Sequence, residues 1–196
     1  MIYMGCDIHA HVIVKRPVYR SSVSKSGGVE HRVVDYEWRL VNNWHKNEFY
    51  DKGLPDDGYD NTPLVPAECF SGRNYTLFGV LAGVRSMEYD PIDDPRGLPL
   101  GCPKELEDYI EKAWGDSAHS HSWLSLGELD RAVKDKKRYP KWETWEDEDG
   151  CVHKDKSAYG PHVFLKDFRD SVRAFADADA YYDDAESVRV VFFFDS

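Results

Sequence analysis

The segment from Ser187 to Phe194 constrains the fold more than any other part of the chain. It is almost continuously apolar, with Arg189 as its one charged side chain. A run this short, and this rich in β-branched and aromatic residues, is typical of a strand covered on both faces in the middle of a sheet. It is far below the roughly 18 to 20 residues that cross a bilayer, so no membrane span is expected.

A second strand is predicted at the other end of the chain. Residues Cys6 to Val12 alternate, with apolar side chains on one side and Asp7, His9 and His11 on the other. Val33 to Val41 has the composition of a further strand, and the Ser-rich loop before it predicts a hairpin. The chain is therefore expected to begin and end in β-structure.

Between these strands the apolar residues recur at helical spacing. Four helices are predicted, after an Asn74 cap, from Pro103, from a capping box of Ser125 and Glu128, and after Pro161. Trp142 to Val152 predicts a small exposed hairpin. We therefore predict an α+β protein, with a mainly antiparallel sheet that contains the N- and C-terminal strands and about four helices packed over one face. The 196 residues show no repeat or linker, which favours a single domain over 1–196.

The charge of the chain limits its partners. There are 36 acidic residues against 25 basic ones, giving a net charge of −11. Such a surface repels phosphate backbones and disfavours nucleic-acid binding. It suits a soluble protein, or alternatively an acidic inhibitor of a basic host protein. The N-terminus lacks a secretory signal and the four cysteines form no Cys-x-x-Cys pair, so reduced thiols and a cytoplasmic location are expected.

Two His-x-His pairs are the most informative chemical motif. They hold four of the eight histidines and each follows an aspartate, Asp7 or Asp116. On the first strand, residues i and i+2 point the same way, so the imidazoles of His9 and His11 and the Asp7 carboxylate can converge on one ion. These ligands suit zinc or manganese and leave a position for water. The predicted ligands of this divalent transition metal are Asp7, His9, His11, His119 and His121.

The same histidines also have a purely structural interpretation. His9 and His11 can form hydrogen bonds within a sheet, while Asp116 and Ser120 act as turn and cap residues in a loop ahead of the third helix. The two pairs can also belong to separate sites.

A small anionic ligand is predicted at the start of the first helix and on a nearby loop. Arg73 and Asn74 open the helix, where free amides and a guanidinium favour phosphate or carboxylate. Arg96 lies on a loop stiffened by three prolines and can clamp the same ligand. The alternatives are that Asn74 is only a cap and that the arginines form surface salt bridges.

Four sequence blocks also carry a family resemblance. They are Gly5-Cys6-Asp7-Ile8-His9-Ala10-His11, Arg73-Asn74-Tyr75-Thr76-Leu77-Phe78, Pro95-Arg96-Gly97-Leu98-Pro99 and His119-Ser120-His121-Ser122-Trp123-Leu124. Together they resemble a family of bacteriophage and bacterial proteins that has no established activity. This resemblance covers about two thirds of the chain. It implies a phage or bacterial origin, and no mechanism.

The motif Asp7-x-His9-x-His11 also looks like the first-strand metal motif of amidohydrolase-type and polymerase-and-histidinol-phosphatase-type hydrolases. Those enzymes are barrels of about 250 residues with alternating strands and helices, a pattern that this chain lacks. The second resemblance therefore implies shared ligand chemistry only.

These observations favour a metal-dependent hydrolase of a phosphate ester or nucleotide. The ion would make hydroxide available near neutral pH, and Asp116 would act as general base or support a ligand. One alternative is a non-enzymatic phage-type binding protein that inhibits a host protein or sequesters a nucleotide. Another is a structural protein whose histidines serve packing.

Overall fold

The computed structural model describes residues 6–24, 26–41, 44–48, 50, 52, 63–85, 89–139, 142–156, 160–179 and 182–195, with the backbone alone for 142–145 and 154–156. The strands in these ranges are β1 (Ile8–Val23), β2 (Val29–Leu40), β3 (Trp44–Lys46), β4 (Leu64–Pro66), β5 (Phe70–Gly72), β6 (His119–Ser125), β7 (Trp142–Glu146), β8 (Val152–Lys156) and β9 (Val188–Phe194). The α-helices are α1 (Tyr75–Ala82), α2 (Lys104–Ala113), α3 (Leu126–Lys134) and α4 (Pro161–Ala178).

The main sheet is antiparallel and confirms the predicted α+β class. Its strand order is β2-β1-β9-β6, and β5 pairs with the first residues of β1. The strands β1 and β9 pair from Ile8 opposite Phe194 to Val14 opposite Val188. The apolar segment at the end of the sequence therefore lies in the middle of the sheet, as predicted.

Helices cover both faces of this sheet. On one face, the buried side chains of Ile8, Ala10 and Phe192 pack in a core with residues of α1, α3 and α4. On the other face, Val191 and Phe193 pack with residues of α2. The prediction that the helices share one face is wrong for α2. The physical reason lies in β9, which is apolar on both sides and needs a cover on each.

The helix starts follow the sequence signals closely. The Asn74 side chain accepts a hydrogen bond of 3.0 Å from the Leu77 amide and caps α1. At α3 the predicted capping box is present. The Glu128 amide donates to Ser125 Oγ at 3.1 Å, and the Ser125 amide donates to the Glu128 carboxylate at 2.7 Å. The helices α2 and α4 begin beside the prolines that predicted them.

Two strand predictions are confirmed and one loop prediction is wrong. The strands β1 and β2 form a hairpin, and so do β7 and β8. The segment with His119 and His121 was expected to be a loop, but it forms strand β6 along the edge of β9. A bulge between His119 and Ser122 interrupts the alternation of side chains, so the sequence lacks the period-two pattern that predicts a strand.

The capping box of α3 gives a test of the fold. Replacing Ser125 by Ala leaves the Glu128 amide without its acceptor, so we expect a loss of about 1 kcal/mol in the free energy of unfolding. Urea denaturation followed by circular dichroism measures it. Ser125→Gly is the matched control, because glycine at an N-cap costs only a few tenths of a kcal/mol. An equal or larger loss for the glycine variant would contradict the assignment.

Candidate functional site at the histidines of strand β1

His9 lies between two carboxylates. Its Nδ1 is 2.7 Å from Glu68 Oε1, and its Nε2 is 3.5 Å from Asp195 Oδ2. The ring packs on Trp114, with 4.0 Å between ring centroids, and only 9% of the residue is exposed. Burial alone would lower the pKa of His9, but the hydrogen bonds and charges of Glu68 and Asp195 outweigh it and raise the pKa. This imidazole holds its proton more strongly than a histidine in water.

His11, two residues further along β1, is fully buried. Its Nδ1 lies 3.4 Å from the carbonyl oxygen of Ala67, while no described residue offers a partner to its Nε2. Burial lowers the pKa of His11 to about 4, although the charge of Glu68 and the Ala67 carbonyl act in the opposite direction. The imidazole is therefore neutral at pH 7. A carbonyl can only accept, so Nδ1 carries the hydrogen and Nε2 keeps a lone pair, the form that binds metals.

Sequence reasoning missed Glu68, which is near both histidines. Its position follows from the pairing of β5 with β1, in which His9 is opposite Ser71 and the Cys69 amide donates to the Ala10 carbonyl at 2.8 Å. That pairing joins segments about 60 residues apart, and nothing in the sequence around Glu68 signals it. Its carboxylate therefore enters the site through tertiary structure alone.

Sequence reasoning also missed Asp195, for which a signal existed. The backbone ladder of β1 and β9 continues past Phe194, so that the Asp195 amide donates to the Asp7 carbonyl at 3.1 Å. The Asp7 amide donates to Asp195 Oδ1 at 2.6 Å. Both terminal strands were predicted, and pairing them in this register would have placed Asp195 beside Asp7.

The second histidine pair does not point in one direction. Ser120, in the β6 bulge, has a φ of 50°, a conformation that is uncommon for residues other than glycine. The ring of His119 stacks on Phe194, and its Nε2 lies 3.9 Å from Cys6 Sγ. His121 stacks on Phe193 instead, which belongs to the other core. The imidazoles of His119 and His121 therefore point to opposite faces of the sheet, because the bulge rotates one of them away.

Phe193 keeps the two histidine pairs apart. Its ring centroid is 5.0 Å from that of His9 and 5.7 Å from that of His121, with nearly parallel planes in both cases. Because β9 lies between β1 and β6, this ring stands between the two imidazoles. Among the described residues, no three His, Cys, Asp or Glu side chains are grouped so that they could hold a metal ion. The five predicted ligands are thus not brought together as one shell.

The other predicted residues lie around this site. Arg73 forms a bidentate pair with Asp7, with Nε–Oδ1 and Nη2–Oδ2 distances of 3.2 and 3.1 Å. Asn74 uses its side-chain oxygen as the α1 cap. Asp116 is exposed in a short 3₁₀ turn, Gly115–Ser117, directly after the Trp114 that packs on His9. Asp7 and Arg73 therefore lie at the end of the sheet, next to the His9 cluster.

Arg96 is engaged in structural contacts. Its Nη1 and Nη2 donate to the Glu128 carboxylate at 3.1 and 2.7 Å, and its Nε donates to Asp93 at 2.7 Å. Its guanidinium also stacks over the Trp123 ring, 4.8 Å from the centroid, and donates to the Trp123 carbonyl. These contacts fix the proline-rich loop to α3 and β6. They support the salt-bridge interpretation of Arg96 more directly than a ligand clamp.

A cleft of about 430 Å³ opens beside the first histidine pair. Glu68 and Ser71 form part of its wall, together with Tyr109, whose ring meets that of His11 edge-on at 5.9 Å. His45 and Lys46, which belong to strand β3, line the opposite wall of the cleft. The volume falls in the range of small-molecule sites. The cleft therefore has the volume of a small-molecule site and borders the cluster of His9, His11 and Glu68 through Glu68 and Tyr109.

No family model matches the chain, and no curated protein or solved structure matches it significantly. The family resemblance noted in the sequence stays a prediction. No helix in the described part of the chain is both long and apolar enough to cross a membrane.

The depressed pKa of His11 predicts how stability depends on pH. An unfolded histidine titrates near pH 6.5, whereas folded His11 stays neutral down to about pH 4. In this window the unfolded chain binds a proton that the folded chain does not, so stability falls as the pH is lowered. Urea denaturation in a chelating buffer measures the free energy of unfolding at each pH. Between pH 6.5 and pH 4 the wild type should lose roughly 3 kcal/mol more of it than His11→Gln does. Parallel pH profiles would contradict this assignment.

The contacts of Arg96 predict a role in stability. Arg96→Lys keeps the charge but loses the planar fork that bonds Glu128, so we expect a loss of roughly 1 to 3 kcal/mol in the free energy of unfolding. Arg131→Lys is the control, because Arg131 pairs with Glu186 in an exposed bridge worth under about 1 kcal/mol. Thermal and urea denaturation measure both variants. Equal losses would mean that the Arg96 network adds nothing beyond an ordinary surface pair.

Proposed function

We propose that this protein is a metal-dependent hydrolase of a phosphate ester or nucleotide, whose ion would be held by His9, His11 and Glu68 once these side chains rearrange, because they are not grouped as ligands in this structure. One observation carries the proposal. The buried, neutral imidazole of His11 keeps an Nε2 lone pair without a described partner, close enough to Glu68 and His9 for their charges to shift its pKa. A buried polar atom of this kind costs free energy unless a partner or ligand satisfies it.

The donor set suits a first-row transition metal. Two imidazole nitrogens and a carboxylate oxygen are the ligands of many zinc sites, with manganese as a second choice. Because the pKa of His9 is raised, its imidazole would have to lose a proton before it could bind a cation, so metal binding would release a proton. Asp195, on the other nitrogen of His9, would orient the ring or complete the shell. This set keeps His9 and His11, and Glu68 takes the place of Asp7, His119 and His121, since Asp7 is paired with Arg73.

The neighbouring cleft supports an anionic substrate. Lys46 and His45 bring positive or ionisable groups to a wall that Glu68 shares. Arg73, paired with Asp7 at the end of the sheet and about half exposed, offers a further cation within the same region. Local charges of this kind would offset the repulsion between a phosphate group and a chain of net charge −11. A bound metal would add positive charge and lower the pKa of water.

Metal titration of untagged protein, stripped with chelator, tests the proposal. Calorimetry with zinc and manganese should show one ion bound per chain. Glu68→Gln and His11→Gln should each weaken binding by more than about 100-fold, since removing a ligand costs more than removing an outer partner. His121→Gln is the matched control and should bind as the wild type does. Because the pKa of His9 is raised, the metal affinity should begin to fall at a higher pH than it would for a histidine of ordinary pKa.

Turnover is measured separately on the metal-loaded protein. Aryl phosphates, phosphodiesters and mononucleotides form the substrate panel, and Glu68→Gln serves as the inactive comparison. Metal binding without turnover, accompanied by tight binding of a nucleotide, would favour the nucleotide-sequestering protein instead. Folded protein that binds no metal would overturn the proposal.

A further inference from the structure

The strands β1 and β2 extend beyond the sheet as a two-stranded ribbon. The strand β9 covers β1 only as far as Val14, whereas β1 and β2 stay paired out to Val23 and Val29. Every residue from Val29 to Glu37 in β2 is exposed. A two-stranded hairpin is marginally stable in water when nothing packs against it. Near the sheet the ribbon contacts its own chain, because Arg16 pairs with Asp179 at 2.7 Å and Trp38 packs with the second core. Beyond these contacts the ribbon is exposed, from Tyr19 to Val23 and from Val29 to Glu37.

The two faces of the ribbon differ in chemistry. Residues that are paired directly across antiparallel strands point to the same face. The face that continues from His11 and Ile13 carries Pro17, Tyr19, Val23, Val29, Val33, Tyr36 and Trp38, with Lys15 as its only full charge. The opposite face carries Arg16, Arg20, Glu30, Arg32, Asp35, Glu37 and Arg39. The ribbon thus has one apolar and one charged face.

The apolar face is open to solvent. Tyr19 is 55% exposed, Val23 75% and Tyr36 49%. Its single charge, the Lys15 ammonium, lies over the Tyr36 ring, 5.2 Å from the centroid. Exposed aromatic and β-branched side chains that are contiguous in this way are typical of an interaction surface.

The charge distribution indicates which partner fits. Residues 15–40 contain six Lys and Arg against three Asp and Glu, although the whole chain has a net charge of −11. The remainder of the chain, here called the body, is therefore strongly acidic and complements the basic ribbon. Two copies related by a two-fold axis can bring each ribbon to the other copy's body. Their apolar faces can meet without burying like charges, apart from Lys15 above its aromatic ring.

We propose that the ribbon is the interface of a homodimer, in which two copies pack their apolar ribbon faces against each other in opposite directions. Paired sheets of this kind pack about 10 Å apart with interdigitated side chains. The apolar face supplies about ten residues from each copy, which corresponds to an interface smaller than the standard size. The charged faces stay outside and point away from the partner ribbon, so only the tip of each basic ribbon approaches the partner's acidic body. This interface is independent of the proposed metal centre.

Sedimentation equilibrium of the full, untagged chain over a wide concentration range tests the dimer. At high concentration the apparent mass of the wild type should approach twice the chain mass of 22.6 kDa. The double variant Tyr19→Thr with Val33→Thr removes a cross-strand pair from the apolar face, while threonine preserves strand propensity. Its dissociation constant should rise about tenfold or more, because the apolar area lost to the interface is substantial.

Val18→Thr is the matched control, since Val18 lies on the charged face of the same ribbon. It should dimerise as the wild type does. Circular dichroism and thermal denaturation of each variant at low concentration check that the monomer is folded. A wild type that stays monomeric throughout overturns the proposal, even if it binds a nucleic acid or another protein. A double variant that dimerises as well as the wild type overturns it too.

Discussion

The antiparallel pairing of β1 with β9 is the interaction on which the rest of the structure depends. It joins the first described strand to the last, from Ile8 opposite Phe194 to Val14 opposite Val188. The register puts apolar side chains on both faces of the sheet, so that α1, α3 and α4 cover one face and α2 the other. It also sets His9 opposite Phe193 and brings Asp195 to Asp7. The two-sided core and the Asp195 side of the candidate site are consequences of this one strand pairing.

The two histidines of β1 show how neighbouring groups decide protonation. Both are buried on the same side of one strand, yet the pKa of His9 is raised and that of His11 is lowered. The difference lies in their partners. His9 has a carboxylate on each ring nitrogen, whereas His11 has a backbone carbonyl on one nitrogen only. The cluster therefore combines one imidazole that holds its proton strongly with one that is neutral at pH 7.

Local signals in the sequence were sufficient for much of the fold. Ser125 with Glu128 predicted the start of α3 because a capping box is a contact within one turn, and Asn74 predicted α1 for the same reason. Alternation and apolar content predicted the two terminal strands. The strand β6 was missed because its bulge at Ser120 interrupts the alternation.

The site was predicted less well, because its members meet through distant pairing. His9 and His11 were identified from their spacing, but Glu68 reaches them only through the pairing of β5 with β1. The separation of the two histidine pairs depends on Phe193, whose orientation follows from strand order. Arg96 was interpreted from its loop alone, whereas its contacts lie on α3 and β6. Sequence motifs identify the chemical groups, and the tertiary fold decides which of them meet.

The central position of β9 has a consequence for how the chain folds during synthesis. β9 follows every other described element along the chain, yet it occupies the middle of the sheet, between β1 and β6. While the ribosome is still making the segment after α4, the facing edges of β1 and β6 have no strand between them. Until β9 is made, the nascent chain therefore exposes unpaired strand edges and apolar sheet faces, which favour aggregation and slow folding. We expect such a chain to depend on chaperones that bind it until β9 has left the ribosome.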